Sequence, residues 1–166
     1  MHQTTVAFPT IEPPLPLAIR LLRRSNPAIA AVLRSPLHRL ASGTLLLLTY
    51  VGAKTGIRRT LPLSYVDVGG RLYLCTRSSA WWRNLRHGRP VELRLRGRDV
   101  AATPVVVDPA SDEALAALRA FLTANPKTGE MLYAVRSGPG HRPNEEDLRR
   151  EVLRSVVVRM DVAAGR

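Results

Sequence analysis

The chain has 166 residues, 45% apolar and 23% charged, enough for one domain with its own core and unlike a disordered segment. Its one cysteine, Cys75, excludes an internal disulfide framework, and four scattered histidines (His2, His38, His87 and His141) lack the spacing of a zinc helix, so no metal site is expected. No apolar run approaches the ~20 residues that cross a bilayer, and no basic-then-apolar leader opens the chain. A cytoplasmic, single-domain protein is the expectation. Twenty-five basic residues against thirteen acidic ones give a net charge of +12. That excess points to a polyanionic partner: nucleic acid, an anionic membrane surface, or a phosphorylated or polycarboxylate small molecule. Only Lys54 and Lys127 are lysines, so an ordinary surface written mostly in arginine is the plain alternative.

Residues 1–16 carry Pro9, Pro13, Pro14 and Pro16 and read as a flexible arm. The single domain then spans 17–166. Over 17–40, Leu17, Leu21, Leu22, Ile29, Val32, Leu33, Leu37 and Leu40 recur at helical spacing among arginines. Two short basic amphipathic helices are predicted, broken at Asn26-Pro27, with a peripheral membrane contact as their functional alternative. Strands follow at 43–51, 58–68, 71–76, 90–96 and 99–107, with turns at Gly69-Gly70 and Gly97-Arg98. A helix begins after Asp108-Pro109 and ends at Asn125-Pro126; another starts at Asn144, and residues 155–162 form a sixth strand. Residues 137–143 are a loop. Mostly antiparallel strands with short connections predict a small closed or half-closed barrel with peripheral helices, an α+β fold.

Two stretches carry chemistry. The first is Gly52-Ala53-Lys54-Thr55-Gly56-Ile57-Arg58-Arg59, followed by Pro62. Glycines allow a tight turn with N–H groups close to an anion, and the cations supply charge, so a phosphate-sized group suits it. It lacks the first glycine and spacer of a Walker loop. The second is Thr76-Arg77-Ser78-Ser79-Ala80-Trp81-Trp82-Arg83-Asn84-Leu85. Here both tryptophans follow a strand end. On a regular backbone they point in different directions, so one is free to lie against a flat ring or both seal the barrel. Ser78 and Ser79 are donors to a ligand or caps of a helix over 81–87.

These two stretches resemble the deazaflavin-dependent nitroreductase family of actinobacteria, within the split-barrel flavin and deazaflavin oxidoreductases. The resemblance covers about Pro36 to Val107. Gly52, Lys54, Thr55, Gly56, Arg59, Pro62 and Leu63 match its first motif, and Trp81, Trp82, Asn84 and Leu85 its second. It implies a split β-barrel of the FMN-binding, pyridoxamine-phosphate-oxidase-like kind that binds coenzyme F420, with FMN as the alternative cofactor. It further implies that Lys54, Thr55 and Arg59, with Arg58 beside them, hold the phosphate and acidic tail. Thr76, Ser78 and Ser79 are implied to lie beside the ring. Where many members carry a longer, glycine-rich loop before the first Trp, this chain has only Arg77-Ser78-Ser79-Ala80. The implied reaction is hydride transfer from reduced F420 to an electron-poor acceptor such as a quinone, nitro compound or activated alkene. Tyr65 and Tyr133 are the candidate proton donors.

Two other function classes compete. Arg94, Arg96 and Arg98 on one strand, near Arg83, Arg86 and Arg89, raise a nucleic-acid surface, but aromatics total 5% and do not interleave with arginines, so no nucleic acid is expected. A non-catalytic carrier of a fatty acid or haem on the same barrel is the third class. Monomer and homodimer are both compatible with the pattern.

Overall fold

The computed structural model describes residues 26–77 and 79–163. The Pro-rich arm and the first predicted helix lie outside them, as does Ser78. In chain order the described elements are α1 (Asn26–Arg34), a 3₁₀ turn Pro36–Leu40, β1 (Leu45–Val51), β2 (Arg58–Ser64), β3 (Val66–Val68) and β4 (Arg71–Thr76). A 3₁₀ turn Trp81–Asn84 follows, then β5 (Val91–Leu95), β6 (Arg98–Val106), α2 (Asp112–Ala124), α3 (Pro126–Leu132), a 3₁₀ turn Pro139–His141, α4 (Glu145–Val152) and β7 (Val156–Val162). The strands form one seven-stranded sheet in the order β2-β1-β5-β6-β7-β4-β3, every pair antiparallel. It curls into a half-barrel with helices outside, the α+β split-barrel architecture expected from the strand pattern.

Alternation along each strand decides what faces where. Leu46, Leu48 and Tyr50 of β1, Leu72 and Leu74 of β4, Val91 and Leu93 of β5, and Val156, Val158 and Met160 of β7 fill the barrel. The outer face is covered twice. Leu47 packs under Ala30 and Leu33 of α1, while Tyr73 and Val157 pack under α2 and α4. Because β1 is buried on both faces, it reads as a continuous apolar run instead of an alternating one. The apolar stripe of α1 is likewise committed to β1. No helix among the described residues is long and apolar enough to cross a membrane.

One boundary falls where it was expected: α1 opens at Asn26-Pro27, since the first turn does not need the N–H that proline lacks. Several others differ from expectation for identifiable reasons. The predicted strand 58–68 is split at Tyr65, whose N–H donates to the Thr44 carbonyl at 3.0 Å and whose hydroxyl donates to the Ser42 carbonyl at 2.9 Å. Six expected strands therefore become seven. The β5–β6 turn is Arg96-Gly97, at φ +48° and +81°, one residue earlier than predicted. Both central residues have positive φ, the hairpin geometry that follows strand twist, and Gly69-Gly70 turns β3 into β4 the same way. Arg96 is held in this uncommon conformation by a hydrogen bond from its Nε to the Tyr65 hydroxyl (3.1 Å). The helix after Asp108 starts at Asp112 with Ser111 as its cap, and Pro109 lies in the preceding turn. Pro126 opens a further short helix, α3, that the pattern did not reveal.

The loop over 137–143 is closed by a bridge between Ser137 and Pro143 and by the Gly138 N–H to the Arg142 carbonyl (2.8 Å). Beside it, Asp147 of α4 accepts from Arg136 Nε (2.7 Å) and Arg150 Nη2 (2.7 Å), and the Arg136 guanidinium holds its carboxyl down to about 2. A depressed carboxyl stabilises the fold fully above its unfolded value, near pH 4, and loses that contribution as pH falls toward 2. Asp147→Asn is expected to be less stable than the parent at pH 7 and to lose less on going from pH 4 to pH 2.5. Urea unfolding at the three pH values checks this.

Candidate active site

The β1–β2 connection, residues 52–57, is built by its glycines. The Gly52 N–H donates to the Ile57 carbonyl (2.9 Å) and the Gly56 N–H to the Gly52 carbonyl (2.8 Å), with Gly56 at φ +66°. A Cβ at Gly52 would fall 2.6 Å from Thr55 Oγ1, so glycine is what lets that hydroxyl fold back to accept from the Ile57 N–H at 3.4 Å. The Ala53 N–H donates to Asn84 Oδ1 at 2.9 Å. The Lys54 and Thr55 N–H groups enter none of these bonds. Two successive unpaired amides next to a left-handed residue make a concavity suited to an anion. Lys54 and Arg59 are exposed, and neither has a carboxylate partner among the described residues.

The two neighbouring arginines separate. Arg59 lies opposite Tyr50, so it begins the row of β2 that continues inward as Leu61 and Leu63. Burial raises the Tyr50 hydroxyl and the Arg59 charge partly offsets that. Arg58, Thr60 and Pro62 belong to the outer row. There Arg58 is neutralised by Glu92 at 2.5 Å, and with Thr60 it lines a cavity of about 390 Å³ together with Arg34, Thr49, Glu92 and Arg94. Pro62 sits opposite Leu47, on the face that carries α1. Lys54, Thr55 and Arg59 thus offer uncompensated charge and donors, whereas Arg58 is a paired neighbour.

The second stretch meets the first through Asn84. Its Oδ1 takes the Ala53 N–H while its Nδ2 donates to the Trp81 carbonyl at 3.1 Å, so one side chain joins the glycine loop to the tryptophan turn. Thr76, at the end of β4, is buried and its Oγ1 accepts the Ser79 N–H at 3.3 Å. Ser79 therefore supports the strand end, and the turn is capped by Ala80 without a side-chain bond. Both tryptophans are buried in the barrel core, Trp81 at 7% and Trp82 at 4% exposure. The expectation that they must diverge assumed a regular strand or helix; a tight 3₁₀ turn over 81–84, shorter than the predicted 81–87, lets both enter. The Arg86 guanidinium lies 4.6 Å from the Trp82 ring centroid.

Asn84→Ala removes the one side chain among the described residues that joins the two loops in this way. A stability loss of about 1 kcal/mol, that of one ordinary hydrogen bond, is expected. Affinity for an anion at the loop should fall more than stability does, and calorimetry on folded protein separates the two.

The two candidate tyrosines are not brought to this loop. Tyr65 follows β2 at its far end, about 20 Å away at ~3.3 Å per residue. Its hydroxyl is engaged with Ser42 and Arg96. Tyr133 is buried in the cluster outside the sheet, edge-on to Phe121 at 6.0 Å, and burial pushes its hydroxyl well above the ordinary value. Tyr50 is the tyrosine beside Arg59, and the alternation Leu46, Leu48, Tyr50 is the signal that could have found it.

Coenzyme F420 carries a phosphodiester and an acidic tail, and an unpaired Lys54, an unpaired Arg59 and a glycine cradle whose Cβ space is taken by the Thr55 hydroxyl fit such a group. No curated protein sequence matches the chain. Among solved structures, a conserved hypothetical protein of Mycobacterium tuberculosis is similar, at 15% identity over 83% of this chain and 79% of that one, with a TM-score of 0.51. An F420-H2 dependent reductase is similar at 17% identity over 69% and 93%, TM-score 0.48. A FAD-binding protein of Mesorhizobium loti is similar at 15% over 82% and 88%, TM-score 0.47. The F420H(2)-dependent quinone reductase profile matches residues 24–138, a span holding α1, the glycine loop, Asn84 and the whole barrel up to β6. That match, over more than half of the chain, places it in the F420H(2)-dependent quinone reductase family, oxidoreductases that use F420.

Proposed function

We propose that this protein transfers a hydride from reduced F420 to a flat, electron-poor acceptor, a quinone first, with nitro compounds and activated alkenes as further candidates. The observation that carries the reading is the Asn84 bridge, because it sets the charged loop beside the tryptophan turn and the strand end at Thr76. F420, when bound, supplies the hydride chemistry. In this reading Lys54, Thr55 and Arg59 hold the anionic part. Gly52 and Gly56 shape the backbone that meets it, and Arg58 and Pro62 flank it on the outer row. Thr76 and Ser79 line the ring side, and Ser78, outside the described residues, is proposed with them; Trp81, Trp82 and Asn84 hold that side rigid. Orienting two flat molecules face to face and excluding water is the protein's part of the work. Tyr65, with its hydroxyl bonded to Ser42 and Arg96, and Tyr133, buried in the cluster outside the sheet, take no part in the transfer in this reading.

The test is F420 oxidation under anaerobic conditions with menadione, a nitroaromatic and a cyclic enone offered separately. Turnover with menadione fastest supports the quinone reading. Turnover with the enone or nitroaromatic alone reassigns the acceptor, and activity with FMN but not F420 reassigns the donor. Binding without turnover of any acceptor leaves the carrier reading.

A further inference from the structure

Arg77 follows β4 directly and precedes the segment that runs to the Trp81–Asn84 turn. Its side chain goes the other way, through the outer layer. The Nε lies 3.0 Å from Glu151 Oε1 on α4, and Nη1 donates to the Leu132 carbonyl at the end of α3 (3.3 Å). Glu151 is 4% exposed, and burial raises its carboxyl while Arg77 lowers it. Nearby Ser155 is 1% exposed, and its hydroxyl, like Arg77 and Arg154, lowers the Glu151 carboxyl. A carboxylate buried this deeply, with a single cation at contact distance, is costly unless that cation stays in place. The other charged or titratable neighbours do not replace it: Arg154 acts at longer range, and Tyr133 and Cys75 are apolar in effect, both pushed upward by burial.

We infer that Arg77 and Glu151 are positioning residues, an ion-pair strap that fixes the strand end at Thr76 and the Ser79–Asn84 turn from behind the sheet and so presets the ring side of the F420 site. The inference rests on the placement of the cofactor proposed above. Besides the buried Trp81 and Trp82, two polar side-chain anchors reach out of the segment: Asn84 to the loop side and Arg77 to the helix side. Only seven positions separate Arg77 from Asn84 in the sequence. Loss of either anchor therefore reaches the same few residues.

The test uses full-length protein. Arg77→Met with Glu151→Met removes both charges together, so no buried charge is orphaned. Amide exchange of Ser79–Asn84 in the unliganded double variant should quicken at least tenfold against the parent, with β5 and β6 unchanged. F420 affinity should weaken at least tenfold. Arg77→Lys in the parent keeps the cation and should recover most of that affinity, whereas a purely structural role would make affinity follow melting temperature across the series. Should the double variant not fold, Glu151→Gln, which conserves volume, carries the same two readouts with a threefold threshold. Exchange and affinity both within twofold of the parent overturn the strap. Faster exchange with unchanged affinity keeps the strap and overturns the cofactor placement, as does an affinity indifferent to Lys54→Ala with Arg59→Ala.

Discussion

Changing Lys54 and Arg59 together to alanine is expected to weaken F420 binding by at least 100-fold while leaving the melting temperature within a few degrees of the parent. Each cation stands exposed without a carboxylate partner among the described residues, so no ion pair there is lost on substitution. A charge-assisted hydrogen bond contributes about 1.5–3 kcal/mol, roughly tenfold or more in affinity for each. The contrast is Arg58→Ala, whose guanidinium is already neutralised by Glu92, and a loss of less than about fivefold is expected there. The salt dependence should separate them too, falling in the double variant because two phosphate- or carboxylate-facing charges have gone. Fluorescence titration at two ionic strengths measures all of this. Equal losses for Arg58 and for the Lys54–Arg59 pair would mean that the acidic part of the cofactor runs along the outer cavity instead.

Trp82→Ala is expected to be the most destabilising single change in the tryptophan turn, by about 3–5 kcal/mol. The ring is 4% exposed within the barrel cluster and has the Arg86 guanidinium above it. Against a total stability of about 5–15 kcal/mol, such a loss brings the protein close to unfolding at ordinary temperatures. It lowers the melting temperature by about 10 °C or more. Trp82→Tyr keeps an aromatic ring and should recover more than half of that. If Trp82 instead faced the cofactor, the alanine variant would melt almost normally and lose affinity, so melting and titration of the same two proteins decide which surface the ring serves.

The strand assignments were legible to within one or two residues because alternation and glycine-bounded apolar runs are local signals. The capping residue Asn144 was equally plain, since its side chain bonds the N–H groups of Glu146 and Asp147 just ahead of it. The break at Tyr65 was not legible, because the carbonyls of Ser42 and Thr44 that impose it belong to a different part of the chain. Nor was the common burial of Trp81 and Trp82, which depends on the turn adopted after β4. The separation of Arg58 from Arg59 was latent in strand alternation, yet which arginine faces inward needed the register with β1.

The residue types of the site were set locally: two glycines, a hydroxyl and unpaired cations in six to eight positions form an anion cradle wherever a turn places them. Family membership could be read from the same residues. Tertiary structure decided which charges remain available, because Glu92 reaches Arg58 only once β5 pairs beside β1. It also decided that Asn84 bonds Ala53 rather than a ligand, and that Arg77 reaches Glu151, partners 31 and 74 positions apart. Spacing cannot report such contacts, since the sheet order that creates them is itself a long-range choice.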